Sequence, residues 1–403
     1  MNFRRRRDAG VALRSRPAAP EPAEPRPAEE VTLVAEPVEP APSGLPTRRR
    51  WSAALASLVA LLILAAAVAF TWWQSQDDGG SEAITPAPVI GDSQSVLLVV
   101  EGEDGRAVGL ALFASDGVDD HRLLVAPRDL TMQLPGYGEG SVGDALAIED
   151  GNLVRLALIN ELGLRVDRVI TIGPGELAAL LGEAVRVDLP NPFIISTPEG
   201  DVVSASSGSD VFVPETAETL LVTQGADTPL DWLVRQRAVW EAVARQVSNT
   251  PDVAGRVVPG LESISEPLGV AVVSVMPVDR VGVGISELYV VSRDSELLND
   301  RIAYLRLSEQ RRPRVEILNA TTLPGVTRPL AEMLIEDGFR IIKTENAEER
   351  FRPDTLIIAQ GVAQQRAALD AQSILGGGEV VVQSTGSGVV DVSIIVGRDI
   401  ATR

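Results

Sequence analysis

From Trp51 to Trp73 the chain runs for 23 residues without a charge, WSAALASLVALLILAAAVAFTWW. Wound as a helix, such a run is about 34 Å long, enough for the roughly 30 Å hydrocarbon core of a bilayer. The sequence therefore predicts a transmembrane helix at 51–73. Arg48, Arg49 and Arg50 stand directly before it, and QSQDDGGSE follows it. The arginine-rich flank stays in the cytoplasm, which puts the large C-terminal part outside, on a single-pass protein of the cell membrane. Trp51, Trp72 and Trp73 fall where aromatic side chains sit at a membrane interface. A cleaved signal peptide is the poorer fit, because the apolar run is too long and lies some fifty residues into the chain.

The 403 residues carry 36 Lys and Arg against 56 Asp and Glu, a formal charge of −20. That balance offers no basic field to displace counterions from phosphates, so it argues against a nucleic-acid partner. There is no Cys and only one His, His121. Disulfides, thiolate nucleophiles and zinc–sulfur sites are thereby excluded, and His121 in DDHRL reads as part of a solvated turn. Residues 1–47 are rich in Pro, Ala, Glu and Arg, as in RPAAPEPAEPRPAEE. They lack the apolar density that would offset ordering, and read as a disordered cytoplasmic tail. Residues 74–93 read as a polar linker.

Beyond it the pattern is α/β. SVLLVVEG, VGLALFAS and RLLVAP are three strand-like runs divided by turns. DALAIEDGNLVRLALINELG predicts one helix closed by Gly163, DRVITIG a strand, and PGELAALLG a helix. PLDWLVRQRAVWEAVARQVSN carries its apolar residues at near-helical spacing. These elements predict an extracytoplasmic domain over 94–308, a mixed sheet covered by helices. A second α/β unit, in β-α-β-β-α-β-β order, is predicted for 312–403, after the polar, Pro-containing stretch SEQRRPRVE.

GYGEGSVG holds a G-x-G-x-x-G at Gly138, Gly140 and Gly143. It does not directly follow the first strand of a βαβ unit, so it carries little weight as a dinucleotide signal. The adjacent Arg128 and Asp129, at the end of RLLVAP, are either an ion pair that orients a turn or part of a site for anions.

In longer context GRAVGLALFASDGVDDHRLLVAPRDLTMQLPGYG resembles the LytR-CpsA-Psr family of membrane-anchored cell-envelope proteins. LINELGLRVDRVITIGPGELAALLGEAVRVDLPNPF and VRQRAVWEAVA continue the resemblance, which covers 94–308. VEILNATTLPGVTRPLAEMLIEDGF is similar to the LytR C-terminal domain. The resemblance implies transfer of glycopolymers from a polyprenyl-pyrophosphate carrier to peptidoglycan. It implies arginines that hold the pyrophosphate and carboxylates that place Mg²⁺. By position, Arg106, Arg128, Arg235 and Gln236 match the family's pyrophosphate-binding residues, and Asp129 a metal carboxylate.

The departures concern the same site. Val108 in GRAV occupies the position of a family aspartate. LLVTQGAD has none of the family's paired arginines, and DTPLDWLVRQ has Asp227 and Asp231 at shifted offsets without a matching arginine. The expected protein is a non-catalytic binder or scaffold for lipid-linked or wall glycopolymers. Its expected partners are the cytoplasmic membrane, a polyprenyl-pyrophosphate glycolipid, peptidoglycan or wall-assembly proteins. An active Mg²⁺-dependent transferase and a purely structural interaction module remain open beside it.

Overall fold

The computed structural model describes residues 92–401, apart from 199, 282–287, 293–294, 309–310 and 385–387. The tail at 1–47, the transmembrane helix at 51–73 and all but the last two positions of the linker lie outside the described residues. Among the described residues no helix is long and apolar enough to cross a membrane.

Three apolar runs become the heart of the first sheet: β1 (Gln94–Glu101), β2 (Ala107–Ser115) and β3 (His121–Ala126). With β4 (Arg168–Ile172) and β5 (Val272–Val275) they form a mixed sheet in the order β5-β3-β2-β1-β4. Only β2 runs against the others. The side chains of β1 alternate between two cores, as a strand buried on both faces requires. Leu97 and Val99 join one apolar cluster, while Val96, Leu98 and Val100 join the other.

The first face is covered by α1 (Val142–Ile148) and α2 (Gly151–Leu162), the second by α3 (Pro229–Asn249) and shorter helices. The single helix expected from DALAIEDGNLVRLALINELG is thus two. Asp150 breaks it, because its carboxylate accepts hydrogen bonds from the backbone N–H groups of Asn152 and Leu153 and so caps a new helix. Gly163 closes α2 in the left-handed conformation, as read from the sequence. Among the described residues the strand at Val185–Leu189 pairs only with Gly208–Phe212, outside the main sheet.

The second sheet has the order β7-β6-β10-β8-β9, from β6 (Arg314–Asn319), β7 (Arg340–Asn346), β8 (Leu356–Ala359), β9 (Glu379–Val382) and β10 (Val392–Val396). Helices α4 (Thr327–Glu336) and α5 (Gln365–Leu375) complete the predicted β-α-β-β-α-β-β order. The fold class expected from the sequence, mixed α/β with a small α/β unit at the C-terminus, is the one observed.

The polar stretch before β6 does not leave the two sheets apart. Helix α2 packs on α4 and β7, and one apolar cluster runs from Leu156 and Leu158 to Leu334 and Ile341. Asn160, fully buried, donates to the Ile341 carbonyl at 2.7 Å and accepts from the Ile341 N–H at 2.7 Å. Arg312 donates to the carbonyls of Ile159 and Asn160 at the end of α2 and to Gly338 beyond α4. Arg328 reaches Glu149 at 2.8 Å and Arg340 reaches Glu161 at 2.9 Å. Burial disfavours the charged Arg328, but its hydrogen bonds and ion pairs with Glu149 and Glu332 outweigh that and raise its pKa.

Candidate functional site

Strands β1, β3, β4 and β5 run in one direction, so their C-terminal ends share an edge of the sheet, together with the start of β2. Such an edge is where open α/β sheets place their ligands. Arg106 stands just before β2, and Arg128 and Asp129 just after β3. The fold therefore brings three of the predicted site residues to one edge.

Val108 sits in a β-bulge there. Val100 pairs with Gly109 and Glu101 with Ala107, so Val108 is the extra residue between them. Bulges of this kind re-aim a side chain, and Val108 joins the apolar cluster on the α3 face with 7% of its surface exposed. Gly109 beside it has no room for a side chain, because a Cβ would lie 2.8 Å from Leu221.

Arg128 is held without using its side-chain donors. Its backbone carbonyl accepts from Gly143 N–H and Ser141 Oγ, both at 2.8 Å, which fixes it to the start of α1. Its guanidinium lies 5.1 Å from the Trp232 ring centroid, within cation–π range. It approaches Asp129 at 3.6 Å, beyond hydrogen-bond distance, and its buried Nε has no hydrogen-bond partner. Arg106 is largely exposed and pairs with Asp144 at 3.2 Å and with Asp104. Gly143, the last glycine of G-x-G-x-x-G, packs between the carbonyls of Arg128 and Ala107, where a Cβ would meet oxygen at 2.9–3.0 Å. Close packing of α1 accounts for that glycine.

Arg235 and Gln236 are placed differently. Arg235 is 1% exposed. It donates to the carbonyls of Leu220, Thr223 and Gln224, forms an ion pair with Asp227, and lies 4.3 Å from the Phe193 ring centroid. Burial lowers its pKa to about 10, which leaves it cationic at neutral pH. Gln236 donates to the carbonyls of Val108 and Leu221 at 2.7 and 3.0 Å. The two side chains strap the loop at 223–228 and the bulge of β2 onto α3. Neither stands with a free donor beside Arg128. Asp227, at a shifted offset in the sequence, is the partner of Arg235. Gly225 in the same loop has φ 66°, and a Cβ there would lie 2.3 Å from the Ile194 carbonyl oxygen.

The donor set does not fit the Mg²⁺ that the resemblance implies. Magnesium takes hard oxygen ligands, and the side chain at 108 is a hydrocarbon facing the core. Asp129 faces Arg128, and Asp104 and Asp144 face Arg106. Among the described residues no group of three or more His, Asp or Glu could hold a metal ion. His121 lies away from this edge, at the start of β3, where Nδ1 is 2.9 Å from Ser115 Oγ.

Residues 312–399 match the family described as LytR cell envelope-related transcriptional attenuator. The C-terminal unit is a LytR C-terminal domain. No curated protein matches the chain. Among solved structures, TagV of B. subtilis is 16% identical over 53% of this chain and 95% of its own, with a TM-score of 0.42. A LytR-Csp2A-Psr enzyme from Actinomyces oris is 20% identical over 55% and 93%, with a TM-score of 0.41. TagT bound to LIIa-WTA is 18% identical over 56% and 98%, with a TM-score of 0.44. Contacts of α2 with α4 and β7 join the LytR C-terminal domain to the first sheet.

Proposed function

We propose that this chain is a single-pass, extracytoplasmic cell-envelope protein that binds a lipid-linked or wall glycopolymer through its pyrophosphate and does not transfer it. The observation that carries the reading is Arg128. It is a guanidinium oriented by Trp232 and by its own backbone, with no hydrogen bond spent, at the ligand-bearing edge of the sheet. Arginine suits phosphate oxygens because its planar fork binds them in pairs.

Chemistry at the same edge supports the reading without transfer. Val108 replaces a carboxylate with hydrocarbon, and Arg235 has turned its donors inward. Each lost charge-assisted bond is worth about 1.5–3 kcal/mol, and even about 4 kcal/mol of lost transition-state stabilisation is close to a thousandfold in rate. Ground-state binding is separable from that loss.

In nanodiscs carrying a polyprenyl-pyrophosphate lipid, the full-length chain should bind the lipid, and Arg128→Ala should weaken binding at least tenfold. Equal binding by both proteins would remove Arg128 from the site. The orientation has its own test. A reporter fused after Arg403 should be digested by protease added outside spheroplasts, while a tag before Arg4 should be spared. The reverse pattern would invert the topology.

A further inference from the structure

A cavity of about 850 Å³ opens between the first sheet's helix α2 and the LytR C-terminal domain. Neither Arg106, Arg128 nor Asp129 lines it. Among the described residues its wall holds five arginines, Arg306, Arg311, Arg312, Arg314 and Arg340, against one acid, Glu161. In a chain with 20 more acidic than basic residues, this is a local reversal of sign. Its volume is that of a site for a small molecule or a segment of polymer.

Two of these arginines have no part in joining the two units. Arg306 is fixed by the backbone on either side of it: Leu307 N–H donates to the Gly163 carbonyl and Arg165 N–H to the Leu305 carbonyl. Its side chain donates to the oxygens of Asn299, which are neutral, so its charge is not balanced there. Arg311 is 68% exposed, and its contact with Asp391 is long, 3.4 Å. Asp391 is committed to Arg314, by three hydrogen bonds at 2.8–3.2 Å. Arg340 pairs with Glu161 through Nη2, while its buried Nε has no hydrogen-bond partner. Leu164 and Leu298 add apolar surface to the lining.

We propose that this cavity is a second anion site, which takes phosphate groups independently of Arg128. Guanidiniums on a rigid frame, with donors unspent and charge in excess, are the chemistry that selects phosphate oxygens over neutral sugars. The phosphates would come either from a free small anion or from a phosphate-bearing chain threaded between the two units.

The test is titration calorimetry on the full-length protein in neutral detergent, with inorganic pyrophosphate and with a short linear polyphosphate. Both variants used, Arg306→Ala with Arg311→Ala and Arg306→Glu with Arg311→Glu, alter exposed side chains and leave the contacts between the units intact. Arg128→Ala should retain binding; in that background, binding should fall at least tenfold when the alanine pair is added and vanish when the glutamate pair is added. Tighter binding of polyphosphate than of pyrophosphate assigns a chain; equal binding assigns a small anion. Failure of both probes to bind, binding that survives the glutamate pair in the Arg128→Ala background, or binding that disappears in Arg128→Ala alone overturns the proposal. The last outcome would leave the Arg128 site standing.

Discussion

Asp227→Ala is expected to destabilise the protein by about 3–5 kcal/mol, because it strands the buried Arg235 charge. The Arg235 side chain is 2% exposed and Asp227 is its carboxylate partner. The carbonyls of Leu220, Thr223 and Gln224 solvate the guanidinium but do not neutralise it. In thermal unfolding, a loss of that size lowers the midpoint by about 5–8 °C for a folded region of this size. Replacing both members, Asp227→Leu with Arg235→Met, should recover most of the stability, since exchange of a buried pair for apolar groups is often neutral or better. A near-wild-type midpoint for Asp227→Ala would mean that water reaches Arg235 and that the strap is not a buried one.

Asn160→Ala should cost about 2–4 kcal/mol for a different reason. It leaves both the N–H and the C=O of Ile341 buried without partners, at roughly 1–3 kcal/mol each. Asn160 is the hydrogen-bonded centre of the contact between α2 and β7. The substitution should also speed cleavage in the polar stretch before β6, because the LytR C-terminal domain would separate more often from the first sheet. Limited proteolysis reads this directly. By comparison, Glu336→Ala removes a partly exposed ion pair with Arg155 and should change stability by less than about 1 kcal/mol. Equal effects of the two substitutions would remove Asn160 from its place in the interface.

The strands were legible because burial on two faces leaves continuous apolar runs, and the turns between them are rich in Asp and Gly. The β-α-β-β-α-β-β unit was legible because it is short and each element carries its own period. What escaped the sequence was decided by contacts between distant residues. The break at Asp150 depends on a cap that competes with helix continuation. SEQRRPRVE reads as a polar boundary between two α/β units, yet Arg312 spends its donors on carbonyls at the ends of α2 and α4, and nothing local encodes that.

At the candidate site, Arg106, Arg128 and Asp129 could be named from their positions in a resemblance. The inward turn of Arg235 could not. A signal for it was present: Arg235 falls three residues after Trp232 and four before Val239, on the buried face of α3. An arginine on that face demands a buried acceptor set, and the arginine-free LLVTQGAD loop supplies it with carbonyls and Asp227. The bulge at Val108 left no mark in the local pattern.

Binding without transfer is read by a turnover assay. Full-length wild type and Val108→Asp would be incubated with a polyprenyl-pyrophosphate glycolipid, peptidoglycan and Mg²⁺, and the released lipid phosphate measured against a Mg²⁺-free control. The wild type is expected to show no Mg²⁺-dependent release, although it binds the lipid. Robust Mg²⁺-dependent transfer by the wild type, abolished by Asp129→Ala, would contradict it and make the chain an active transferase.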